Sequence, residues 1–184
     1  MMWAAGWIFE AAWQFAFVKN NKASLVVSSV LLILALLSFI AALRRSYDIE
    51  GVPAWAKQLI IGVTSINAAW LSVAAILGIL IAVDVTLNIT TVPIAIVGTI
   101  LAVAFGVHVS LVRQDPFYCA TLTWALLAVF LKQRGMYNSV AWTAMAGVLA
   151  VATAAVLACV PKSEAARAAQ DAEANVRQRL VDEL

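Results

Sequence analysis

Six apolar runs, most of them near the length of one bilayer crossing, are separated by short polar turns and constrain this chain more than any other feature. They cover 3–18, 23–43, 58–83, 92–112, 117–131 and 139–160. A helix needs about 20 apolar residues to cross the hydrocarbon, so the first and fifth runs are short and the others suffice. The breaks are of the kind that end helices: "KNNK" at 19–22, the Gly51-Val52-Pro53 turn, "RQDP" at 113–116, "KQRGMYN" at 132–138, and Pro161. Closed barrels need segments of alternating hydrophobicity, and none is visible. The runs predict an all-α, polytopic transmembrane bundle of five or six membrane helices over residues 1–161.

Composition names the solvent. The chain is 64% hydrophobic and only 12% charged, against about 25% charged in soluble domains. A soluble fold of 184 residues has too little interior to hide that surface, so the bilayer must do it. A net charge of +2 gives no basic footprint for nucleic acid. Cys119 and Cys159 lie inside apolar runs, which argues for packed thiols and against a disulfide framework. "MMWAAGWIF" lacks the basic start of a secretory signal, so no cleavable targeting peptide is expected. The stretch 162–184 is polar and Ala-rich and reads as an extramembrane C-terminal helix capped by Ser163.

Charge sets the orientation. With six crossings, Lys19, Lys22, Lys132 and Arg134 share one side of the membrane, and Arg44, Arg45, Lys57 and Arg113 the other. The basic residues of the tail tip the balance and place the C-terminus on the cytoplasmic, stromal or matrix side. A thylakoid, another organellar membrane or a bacterial inner membrane all fit.

Within the runs, polar residues are few enough to consider singly. Glu10 lies in "WIFEAAWQF", and Trp3, Trp7, Gln14 and Phe17 fall within about 60° of it on a helical wheel. An acid at bilayer depth costs roughly 2.5–3.5 kcal/mol and marks a candidate site. Three roles are open: polar glue bonded to Gln14 or a carbonyl, contact with a ligand or pigment, and proton transfer. The stripe is expected to face a helix or a partner, not lipid. Glu10→Leu should then weaken assembly by about 1 kcal/mol. His108, near the end of the fourth run, is the first candidate for the magnesium of a chlorophyll, ahead of Glu10 and Gln14; its alternative is hydrogen-bonded packing. A lone His with two separated Cys has no zinc spacing. Asn67 shares a helical face with Leu71, Ala74 and Gly78, the pattern of a helix–helix seam. No paired carboxylates, Ser/His/Asp set or Gly-rich phosphate loop occurs, so no enzymatic activity and no structural metal are expected.

Three segments resemble the tryptophan-rich sensory protein, or translocator protein, family over most of residues 7–130. "FEAAWQFAFVKNNKASLVVSSVLLILALLSFIAAL" is similar to the family's third and fourth helices, with Trp13 at the family Trp and Glu10 where an Asn is common. "INAAWLSVAAILG" resembles the fifth helix, in which Trp70, Ser72 and Ala74 match while Ile66 and Asn67 replace a Pro-Tyr. Arg113, Asp115, Pro116 and Trp124 look like the basic–acidic–Pro turn of longer relatives. The Trp-x-Pro-Pro signature of the first two family helices has no counterpart here. The resemblance implies a helical membrane bundle and a binder of porphyrins or sterols.

Two functions are compatible with these features. The first is a non-catalytic accessory subunit of a larger photosynthetic or respiratory membrane complex, in contact with lipids, other subunits and pigments. The alternative is a stand-alone binder in which Trp3, Trp7, Glu10, Trp13 and Trp70 line a cleft for a tetrapyrrole, a carotenoid or a sterol.

Overall fold

The computed structural model describes residues 2–89 and 91–159. The polar helix expected over 162–184 lies outside the described residues. The elements are α1 Met2–Val18, α2 Lys22–Tyr47, α3 Ala54–Leu87, α4 Val92–His108, a π-helical turn Val109–Arg113, α5 Pro116–Gln133 and α6 Asn138–Cys159. No strand occurs among the described residues. Four segments are long and apolar enough to cross a membrane: α2, α3, α4 with its π turn, and α6. With 17 and 18 residues, α1 and α5 are shorter. At about 1.5 Å per residue they rise roughly 26 and 27 Å, just under a hydrocarbon core of about 30 Å.

Local chemistry explains the boundaries. Asn20 takes a left-handed conformation (φ 46°) that stops α1. Asn21 then starts α2 with a capping box: its Oδ1 accepts from Ser24 N at 2.9 Å, and Ser24 Oγ accepts from Asn21 N at 3.1 Å. The polar loop expected from Asp84 is shorter than its sequence suggests. One exposed carboxylate does not break a helix, so α3 runs on to Leu87 and ends where Asn88 turns left-handed (φ 51°). At the other membrane side, Gln114 is left-handed (φ 51°) and Asp115 caps α5 ahead of Pro116, a residue suited to the first helical position.

The helices pack in two groups. α3, α5, α6 and α4 form a ring in which each touches the next, and α2 joins α1 to α3. Phe39, Leu71, Tyr118, Leu122, Leu126 and Val151 fill the core. α1 lies antiparallel along α2, with Gly6 beneath the Phe39 ring. A Cβ at Gly6 would come within 2.7 Å of Phe39 Cε2, so only glycine permits this approach. α2 meets α3 through Ser29, whose Oγ donates to the Gly78 carbonyl at 2.6 Å. That contact lies at the Gly78 end of the face expected to form a helix–helix seam, on which Leu71 is also buried.

Candidate functional site

α1 and α3 both lean on α2 and leave two hollows along the seam between them. The first, about 210 Å³, has Trp13 and Phe17 of α1 on one wall and Trp70, Ala74 and Gly78 of α3 on the other, over Ser28 and Ser29 of α2. Trp13 and Phe17 have ring centroids 5.7 Å apart, and Trp70 rests on Trp124 of α5 at 5.6 Å. The serine hydroxyls are already engaged: Ser28 Oγ donates to the Leu25 carbonyl at 2.8 Å and Ser29 Oγ to Gly78. The hollow therefore presents aromatic faces and a small-residue floor without an unpaired donor. Such a surface suits an apolar molecule with a flat face.

The second hollow, about 510 Å³, lies at the other end of α1. It is lined by Trp3, Ala42, Arg45, Ser46 and Leu59 among others. Trp3 meets Trp7 edge-on at 5.7 Å, and Trp7 meets Phe39 edge-on at 5.4 Å. The aromatic chain thus runs from the mouth of the hollow onto the core residue that holds α1.

The residues singled out in the sequence are divided by the fold. Trp3, Trp13 and Trp70 line the hollows, while Trp7 packs against Phe39. Glu10 is half-buried, with Oε2 shut away from solvent and without a hydrogen-bond partner. Gln14 is exposed and forms no hydrogen bond with Glu10. The stripe is split because α1 packs mainly on α2, which covers a band too narrow to take in all of its members. Asn67 is half-buried on α3 and lines neither hollow. His108 is exposed at the end of α4, also away from both. Among the described residues no cluster of three His, Cys, Asp or Glu side chains is placed to hold a metal ion.

The strongest polar constellation lies elsewhere. Asp115 is 3% exposed. Its Oδ1 accepts from Phe117 N and Tyr118 N at 3.0 and 3.1 Å, which caps α5. Its Oδ2 accepts from Tyr47 Oη at 2.6 Å and from Ser65 Oγ in a still shorter contact. The Arg113 guanidinium stands 5.0 Å from the Tyr47 ring centroid and 4.0 Å from Asp48 Oδ1. One carboxylate thus ties α2, α3 and α5 together. The Asp-Pro pair announced the cap, but nothing in the sequence assigned Tyr47 and Ser65 to the same acid. A second buried link joins Ser72 Oγ and Tyr118 Oη at 2.9 Å.

A bundle of long apolar helices with an aromatic seam open at its side is a polytopic integral membrane protein. A family model described as TSPO-like protein matches residues 1–157, and the chain belongs to that family. The match is wider than the 7–130 stretch on which the resemblance rests. No curated protein and no solved structure matches the chain.

Proposed function

We propose that this protein is a non-catalytic membrane binder that holds a flat or ring-containing apolar molecule, a tetrapyrrole, a carotenoid or a sterol, in the α1–α3 seam. The observation that carries the reading is the convergence of Trp13 and Trp70, from different helices, on one hollow with a small-residue floor. The larger hollow adds Arg45 beside Trp3, a cation suited to a propionate on a tetrapyrrole. Titration of the purified protein with a porphyrin, a sterol and a carotenoid tests it. Saturable quenching of tryptophan fluorescence or saturable binding by at least one of them is expected, with loss in Ala74→Phe, which fills the smaller hollow. Non-saturable partition that is equal in the variant would defeat the reading.

A second role, as accessory subunit of a larger membrane complex, is favoured by Gln14. This amide lies on the exposed side of a membrane-embedded helix, where lipid offers it no hydrogen bond. A partner subunit covering α1 would satisfy it. Gln14→Leu should then release the chain from its native particle in mild detergent; an unchanged particle size would remove the support.

A further inference from the structure

Apart from the seam, the ring of α3, α4, α5 and α6 encloses a cavity of about 300 Å³. Its walls are apolar, built from Val73 and Ile76 of α3, Ala95 and Ala102 of α4, and Leu126 and Val129 of α5. Trp70 and Leu77 stand between it and the smaller seam hollow. The deeper polar wall residue, Thr99, is occupied, its Oγ1 donating to the Ala95 carbonyl at 2.7 Å. The remaining polar residues gather at one end: Thr91 before α4, Lys132 and Gln133 at the close of α5, and Tyr137 before α6. The up-and-down order of the helices puts all four on the same membrane side.

Two of these groups lack partners. Gln133 Oε1 is buried without a hydrogen bond, and Lys132 has neither an ion pair nor a hydrogen bond among the described residues. A buried amide oxygen without a donor is unfavourable. An ammonium beside an apolar cavity attracts an anion, and it does so more strongly as water is excluded. A half-turn of the Gln133 side chain exchanges its oxygen for its NH2, which a carboxylate would accept.

We infer that this cavity binds a single-chain amphiphile, its acyl chain between the apolar walls and its acidic head against Lys132 and Gln133. The volume is at the low end of small-molecule sites, which fits one chain and not two. The contrast with the seam supports the assignment. The smaller seam hollow has its floor hydroxyls paired and carries no charge, whereas this cavity has an apolar depth and an unsatisfied polar mouth.

The test uses the full chain in nanodiscs of phosphatidylcholine and native mass spectrometry. The probes are dodecanoate, held well above the carboxylate range so that it stays ionised, and dodecanol. The wild type should bind dodecanoate at least about tenfold more tightly than dodecanol, one charged contact being worth roughly that factor. Lys132→Gln should abolish the preference and leave dodecanol binding unchanged. Ala95→Leu should weaken both probes by filling the wall; if it fails to fold, Ala128→Phe at the exposed rim serves instead. Added phosphatidylglycerol should not displace dodecanoate. Equal affinity for the two probes, a preference that survives Lys132→Gln, or binding untouched by the wall and rim variants would each overturn the assignment. Displacement by phosphatidylglycerol would overturn the single-chain form of it.

Discussion

Tyr47 Oη donates to Asp115 Oδ2 across 2.6 Å, joining the last residue of α2 to the residue that caps α5, 68 positions later. A buried carboxylate that accepts four hydrogen bonds is a junction whose loss is felt by every helix it touches. Tyr47→Phe removes one donor and should lower stability by about 2 kcal/mol, the scale for a hydrogen bond to a charged group. Asp115→Ala also removes the cap and leaves two buried hydroxyls without an acceptor, and should cost roughly 3 kcal/mol. Thermal unfolding in detergent measures both. Equal stability of wild type and Asp115→Ala would show that the junction is dispensable.

Gly6 tests how α1 is held. The Cβ of Gly6→Ala would overlap the Phe39 ring, so the variant should be destabilised by about 1–3 kcal/mol, the range for overpacking. The double variant Gly6→Ala, Phe39→Leu should recover part of the loss. If the single variant protects α1 amides from hydrogen exchange as well as the wild type does, the close approach is not what seats the helix.

Glu10 separates the isolated chain from its assembly. Its Oε2 has no partner within the described residues, so replacing the carboxyl with an apolar group removes no intramolecular bond. Glu10→Leu should therefore leave the melting temperature of the purified chain unchanged or raise it slightly. In the native membrane the same change should weaken retention by a partner or ligand by about 1 kcal/mol, and Glu10→Gln should be milder. A Leu variant that melts well below wild type in isolation would mean that the acid has an internal role.

His108 and Ala74 should behave oppositely. His108 is exposed and lies apart from both seam hollows, so His108→Leu is expected to leave porphyrin, sterol or carotenoid binding in the seam unaltered, whereas Ala74→Phe removes it from the smaller hollow. If His108 instead ligates the magnesium of a chlorophyll on the outer face of α4, His108→Leu removes that pigment alone. Equal loss of ligand in both variants would mean that the two positions share one site.

The helices are legible in the sequence because their ends are written in local chemistry. Asn20 and Asn21, Pro53, and Asp115 with Pro116 each mark a boundary with a residue suited to it, and the observed elements start and stop within a few positions of the apolar runs. Which face of each helix is covered is much less legible. In a membrane helix the lipid side is as apolar as the packed side, so no amphipathic stripe points inward. That is why the helical wheel groups Gln14 with Glu10 although only the acid is partly covered. It is also why the convergence of Trp13 with Trp70, and of Tyr47 with Ser65 on Asp115, emerges only from the packing. These pairs join residues far apart in sequence through a fold that periodicity does not encode.

The π turn at Val109–Arg113 limits how the chain can change in length. A π turn holds one residue more than the α-helical turn it replaces. Deleting one residue there would restore regular α geometry and rotate the downstream chain by about 100°. Arg113 would leave the Tyr47 ring, Asp115 would swing away from Ser65, and Gln114 Nε2 would lose the Ala158 carbonyl that it reaches at 3.1 Å. The exposed 134–137 turn has no such geared attachments. Insertions and deletions should therefore be tolerated between α5 and α6 and excluded between α4 and α5, so that the junction's angular setting also fixes the residue count of the segment before it.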